Sequence, residues 1–98
     1  MNVVVNIREI EEIKNPEGIK LLAEDVLTRV EDQRVRRVNL DKAATLGKVS
    51  NRKAILVLKT PDGYKKIITK VLGTDTNGVW IENNLVIPIQ AIYAVDVE

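Results

Sequence analysis

The chain lacks two of the residue types on which protein chemistry most often depends. None of its 98 residues is cysteine or histidine. The first absence excludes disulfides, thiolate metal sites and cysteine nucleophiles, and the second removes the commonest general base and metal ligand. Phenylalanine is also absent, so we expect a core of valine, isoleucine and leucine. We therefore predict no metal or cofactor site, no small-molecule substrate and no enzymatic activity.

Long apolar runs are missing as well. The longest, over residues 54–58, is too short to cross a bilayer. The first residues carry neither the basic region nor the apolar stretch of a secretory signal. We expect a soluble, cytoplasmic protein without a membrane partner.

Positive charge is absent from the end of the chain, and this uneven distribution is the strongest signal in the sequence. Residues 71–98 contain four acidic side chains and no lysine or arginine, and residues 1–33 contain eight acidic and four basic ones. Residues 34–70 contain eleven basic and two acidic side chains, although the formal charge of the whole chain is only +1. A block this basic is expected to meet either a polyanion or acidic protein surface.

The N-terminal half is predicted to be helical. Asn15-Pro16-Glu17 has the residue types that begin a helix, and the apolar residues after it recur at helical spacing. We predict an amphipathic helix over about 16–32 and a short helical turn over 41–46 that Gly47 ends. Residues 34–38 between them either continue the helix or form a basic connector. The weak apolar alternation over 3–7 allows an edge strand or a tail that becomes ordered on a partner.

The C-terminal half is predicted to be β-structure. Turn sequences at 60–63, 77–78 and 83–84 separate short apolar runs, and Pro88 ends a further one. Five strands are predicted, over 52–59, 64–72, 79–82, 85–87 and 91–97.

A family resemblance is visible in the closing stretch, in Val79-Trp80-Ile81-Glu82, Val86-Ile87-Pro88 and Ala91-Ile92-Tyr93. This stretch resembles the small SH3-like barrels, and a helix followed by five strands is similar to the Sm-like barrels. The resemblance covers about residues 52–98 and concerns pattern only. It implies an α+β fold, an N-terminal amphipathic helix followed by a five-stranded SH3-like β-barrel, and it implies no activity.

We expect a single domain over residues 1–98. Residues 1–50 would form a helical arm and basic connector, and residues 51–98 the β-barrel. A lone amphipathic helix cannot bury its apolar stripe by itself, so it should pack on the barrel or on a second copy.

Trp80 is the residue that most directly suggests an interface. Val79 and Ile81 share one face of their predicted strand, so Trp80 points to the opposite face. If Val79 and Ile81 fill the barrel, Trp80 is either covered by the predicted helix or exposed at an interface, where tryptophan is enriched.

Two binding functions follow from these observations. The first is a protein-interaction or self-assembly module, in which the acidic helix of one copy contacts the basic block of another. The alternative is nucleic-acid binding, because several cations on one surface release counterions from phosphates. The predicted anion- or partner-binding residues are Arg34, Arg36, Arg37, Lys48, Arg52 and Lys53.

Overall fold

The computed structural model of the chain describes residues 6–16 and 18–97. Within these ranges the structure contains one α-helix, seven strands and three single turns of 3₁₀-helix. The helix α1 spans Val30–Ser50. The strands are β1 (Glu11–Glu12), β2 (Ala54–Thr60), β3 (Gly63–Thr69), β4 (Val71–Thr74), β5 (Gly78–Ile81), β6 (Leu85–Pro88) and β7 (Ile92–Val97). The 3₁₀ turns are Ile7–Glu9, Glu82–Asn84 and Ile89–Ala91.

The strands lie in two open sheets. One has the order β1-β3-β2-β7 and the other the order β4-β5-β6. Neighbours are antiparallel, except that β1 runs parallel to β3. The helix α1 packs against β4 of one sheet and β7 of the other. The predicted five-stranded SH3-like barrel is therefore wrong, since neither sheet closes on itself.

The predicted N-terminal helix is also wrong, because the helix lies in the middle of the chain. The described residues between 13 and 29 form neither helix nor strand. Gly18 adopts a left-handed conformation (φ +81°), and the Asp25 carboxylate accepts a hydrogen bond from the Leu27 backbone N–H (2.8 Å). Both features belong to turns rather than to a helix interior. Of the two possibilities left open for residues 34–38, helix and connector, the structure has the helix, in the N-terminal part of α1.

The edge strand or tail predicted over residues 3–7 can be compared with the structure only in part. Residues 3–5 of the weak alternation lie outside the described residues, and Ile7 lies in a 3₁₀ turn rather than an edge strand. The strand that does form is β1, whose two glutamates pair with Lys65 and Lys66 of β3. The core lies between the sheets and α1, and its buried side chains are aliphatic, as predicted. They include Leu40, Leu56, Leu58, Val71, Val79, Ile87 and Ile92.

Gly47 lies inside α1, where the sequence predicted the end of a helix. A Cβ atom at this position would lie 2.8 Å from the Val71 carbonyl oxygen of β4, so glycine is needed for the close approach of helix and sheet. The helix ends instead at Asn51, which is left-handed (φ 57°). There the Arg52 N–H donates to the Leu46 carbonyl oxygen at 3.2 Å.

The turns of the β-half are confirmed. Thr60 pairs with Gly63 across the first turn, and Gly63 has φ +108°. Asn83 and Asn84 both have positive φ, 69° and 59°, in the turn between β5 and β6. The Asp75 carboxylate closes the turn between β4 and β5 by accepting hydrogen bonds from two backbone N–H groups, each at 2.8 Å.

The predicted strand over 64–72 is in fact two strands, β3 and β4, because the chain leaves one sheet and enters the other at Lys70. The Lys70 N–H does not continue a ladder but donates to the Glu82 carboxylate at 3.1 Å. That side chain also accepts a hydrogen bond from the Thr69 hydroxyl (3.3 Å). This bend is stabilised by a carboxylate that is distant in sequence, so no turn residues mark it at Lys70 itself. For this reason five strands were predicted, whereas six follow the helix.

We predict that Gly47→Ala destabilises the protein. Alanine favours an exposed helix interior by about 1 kcal/mol, but here the added methyl group would press on the Val71 carbonyl oxygen. Overpacking of this kind typically costs about 1–3 kcal/mol. Urea unfolding should show a lower free energy of unfolding than for the wild type. Thr45→Ala, on the exposed face of α1, should change it little, and a Gly47→Ala variant as stable as the wild type would contradict the account.

Candidate functional site

Arg36, one of the predicted binding residues, is buried. Only 6% of it is exposed. Its guanidinium donates to both carboxylate oxygens of Asp25, at 2.8 Å from Nη1 and 2.7 Å from Nη2, and Nη1 also donates to the Ile92 carbonyl oxygen at 3.0 Å. These bonds connect α1 to the segment before it and to the start of β7. Arg36 is therefore a structural residue and does not face an external anion.

The Asp25 carboxylate is held in its charged form by this contact. The hydrogen bonds from Arg36 lower the pKa of Asp25 below its ordinary value of 3.8. Partial burial opposes this shift, and the Leu27 backbone N–H adds to it. A forked arginine–carboxylate pair of this kind is a strong, directional contact.

The other predicted cations divide between the two ends of α1. Arg34 is exposed near the start of the helix, and Arg37, half-buried, donates to the Asp75 carbonyl oxygen at 2.8 Å. Lys48 is exposed near the helix end, fourteen residues beyond Arg34, a distance of about 21 Å along the axis. The six predicted residues thus do not form one continuous site.

Lys48, Arg52 and Lys53 do lie together, around the end of α1. Lys70 extends this group, because its ammonium donates to the Asn51 side chain at 3.0 Å. Glu82 opposes it. The Lys70 backbone N–H lowers the pKa of that carboxyl most, and the charges of Lys53 and Lys70 lower it further.

Acidic residues near the N-terminus neutralise part of the basic block within the chain. Glu11 of β1 forms an ion pair with Lys65 of β3, and the Lys66 ammonium donates to the Ile7 carbonyl oxygen at 2.9 Å. Together with the Asp25–Arg36 pair, these contacts show one use of the charge segregation: the acidic segment packs on the chain's own cations.

An apolar patch crosses the outer face of the three-stranded sheet. We call Leu72, Trp80 and Val86 the Trp80 patch; they are 56%, 47% and 52% exposed. Trp80 and Val86 are direct cross-strand partners. Val79 and Ile81 share the opposite face, as predicted, and that face is the buried one. The sequence left open whether Trp80 is covered by a helix or exposed. In the structure α1 does not cover it, and Trp80 is exposed.

Gly73 lies beneath the Trp80 ring. The two residues are paired between β4 and β5, and a Cβ atom on Gly73 would lie 3.0 Å from Cε3 of the indole. The indole therefore packs closely against the β4 backbone at Gly73, while 47% of Trp80 remains exposed. The sequence did not predict that Leu72 and Val86 join Trp80. The position of Val86 could have been predicted from the Asn83-Asn84 turn. A tight turn fixes the cross-strand register, and this register pairs Val86 with Trp80.

Two clefts accompany these surfaces. The larger, of about 450 Å³, lies between α1 and β7 and is lined by the polar side chains of Thr28, Arg29, Asp32, Asn39 and Tyr93 among others. Burial and the neighbouring Tyr64 raise the pKa of the Tyr93 phenol. The lining residues that the structure describes include no hydroxyl nucleophile hydrogen-bonded to a base. The smaller cleft, of about 240 Å³, lies beside β6.

Comparisons with protein-family models, with curated proteins and with solved structures found no match. The SH3-like and Sm-like resemblance of the sequence therefore has no support from a related protein. Over the ranges 6–16 and 18–97, no helix combines the length and apolar character needed to cross a membrane.

We predict that acid destabilises the protein through Asp25. Because the folded-state pKa is lower than the unfolded value, the unfolded chain takes up the proton at the higher pH. The stability that the pair contributes is present above pH 3.8 and is lost as the pH falls through the lower folded-state pKa. Asp25→Asn should unfold more easily at neutral pH, by about 2–3 kcal/mol.

The measurement is urea unfolding of both proteins between neutral and acidic pH. The two free energies of unfolding should converge as the pH falls. Some acid sensitivity should remain in the variant, since Asp75 and Glu82 also have lowered pKa values. Parallel curves for wild type and variant would show that the Asp25–Arg36 pair does not cause the pH dependence.

Proposed function

We propose that the chain is a non-enzymatic protein-interaction module that associates with further copies of itself through the Trp80 patch. One observation supports this most directly: the chain's single tryptophan lies half-exposed on a sheet, between two other exposed apolar side chains. Contiguous exposed apolar surface is typical of interaction sites, and tryptophan is enriched among the residues that dominate binding energy.

The patch is a rigid surface rather than a loose part of the core. The inner face of the same strands supplies Val79 and Ile81 to the core, so Trp80 is not required to fill it. The Asn83-Asn84 turn holds β5 and β6 in register, and the indole packs closely against Gly73 of β4. A surface that is already ordered loses little conformational entropy when a partner binds.

The contact predicted from the sequence, an acidic helix on a basic block, has to be replaced. The described residues between 16 and 29 are not helical, and Asp25 among them is already bound to Arg36. Glu11 is likewise bound to Lys65. Self-association is therefore proposed through apolar surface, with charge in a supporting role.

We expect the wild-type protein to associate as its concentration rises from micromolar to millimolar, and Trp80→Ser to remain monomeric. Sedimentation velocity measures this directly. Val30→Ser is the matched control, because Val30 is also exposed but lies at the first turn of α1, away from the patch. A wild type that stays monomeric, or a Trp80→Ser variant that associates equally, would refute the proposal.

A second candidate, nucleic-acid binding, is favoured by the grouping of Lys48, Arg52 and Lys53 at one end of α1. Arg36→Ala is unsuitable as a test, since it would remove a buried ion pair. The Lys48→Ala/Lys53→Ala variant leaves that pair intact, and Lys14→Ala/Lys20→Ala provides a control of equal charge change.

Fluorescence anisotropy with a labelled oligonucleotide at two salt concentrations tests this candidate. If it is correct, the wild type binds, the affinity falls with salt, and the Lys48→Ala/Lys53→Ala variant alone loses affinity and has a smaller salt slope. Absence of binding at low salt, or equal loss in both variants, would eliminate it.

A further inference from the structure

We infer that the Trp80 patch of one copy binds the outer face of α1 of the next, so that copies associate head to tail. This inference depends on the proposed function and adds the identity of the second surface. We define the outer face of α1 by the side chains opposite its buried face; they are Arg34, Val38, Lys42, Thr45 and Val49.

The outer face follows from the geometry of the helix. Successive residues are about 100° apart around the axis, and Leu40 and Gly47 point into the core. Val38 and Val49 then point away from it, and they are 64% and 77% exposed. The helix therefore carries apolar side chains on a surface that nothing in the described chain covers.

The two surfaces cannot meet within one chain. The helix approaches β4 through Gly47, beside the buried Val71, whereas the Trp80 patch occupies the outer face of that sheet. Contact between them must be made between copies. Because the outer face of α1 and the Trp80 patch both point away from the contact between the helix and the sheet, one pair of copies cannot make both contacts at once. The interface is then heterologous, and repeated association produces a ring or a filament rather than a closed pair.

The dimensions of the two surfaces agree. The patch extends over three neighbouring strands, β4, β5 and β6, which is about 10 Å across at a strand spacing of about 4.8 Å. An α-helix with its side chains is about 10–12 Å wide. One helix can thus cover the indole and both flanking side chains.

The charges of the two surfaces are complementary. Residues 71–97 contain no lysine or arginine, and Asp75 lies in the turn between β4 and β5 of the patch-bearing sheet. The outer face of α1 carries the exposed Arg34 and Lys42, with Lys48 beside them. The acids near this face are already engaged, Glu31 with Arg29 and Asp41 with Thr74 and Arg37. Two Trp80 patches in contact would supply no lysine or arginine from β4, β5 or β6 to pair with Asp75. Charge complementarity favours the helix of a second copy as the occupant.

A mixing experiment tests this arrangement. Trp80→Arg removes the patch and keeps the outer face of α1, whereas Val38→Glu/Val49→Glu removes the outer face and keeps the patch. In a head-to-tail assembly each variant alone remains monomeric, and an equimolar mixture forms a dimer and nothing larger, because only one productive interface is left. Sedimentation velocity distinguishes these species, and raising the salt concentration should weaken the mixed dimer several-fold.

The other outcomes separate this inference from the proposed function. If Val38→Glu/Val49→Glu assembles like the wild type and Trp80→Arg does not, the patch is an interface but the helix is not its partner. If neither variant alone assembles and the mixture forms no dimer, the inference is also refuted. If Trp80→Arg assembles like the wild type, the proposed function fails with it.

Folding of each variant is checked by urea unfolding before mixing. If either charged variant fails to fold, the test is repeated with the milder variants Trp80→Ser and Val38→Ser/Val49→Ser. They should remain monomeric alone and form the same dimer when mixed.

Discussion

The contact between the Arg36 guanidinium and the Asp25 carboxylate determines much of this structure. It lies where three parts of the chain meet, since Arg36 belongs to α1, Asp25 to the irregular segment before it, and the third bond goes to the Ile92 carbonyl oxygen of β7. A buried arginine without its carboxylate would be strongly destabilising. The segment before α1 therefore has to place Asp25 beside the helix.

This dependence explains which parts of the fold the sequence could predict. The turns at 60–63 and 83–84 are decided by glycine, proline and asparagine at their own positions, so local sequence was sufficient. The helix was misplaced because its strongest apparent start, Asn15-Pro16, is overridden by tertiary contacts. Its true buried face includes an arginine and a glycine, Arg36 and Gly47, which no apolar periodicity reveals. The division of one predicted strand at Lys70 depends on Glu82, twelve residues away.

The candidate functional surface, like the fold, could be predicted only in part from the sequence. Alternation with Val79 and Ile81 placed Trp80 on the outer face of its strand, but whether a helix covered it depended on the position of that helix. The basic block was visible in the sequence, yet its members have different roles. Arg36 is buried, Lys65 is paired with the chain's own Glu11, and Lys48 lies in an exposed group. Charge counted along a chain therefore overestimates the charge available to a partner.

The tryptophan fluorescence of the protein reports on Trp80 alone, because Trp80 is the only tryptophan in the sequence. The central claim is that this half-exposed indole becomes buried when copies associate. The most direct measurement is the emission spectrum of the wild-type protein as its concentration is raised at low salt. We predict a shift to shorter wavelength with increasing concentration, reversed by dilution. An emission maximum that does not change while the protein associates would show that the contact forms elsewhere, and would contradict the account.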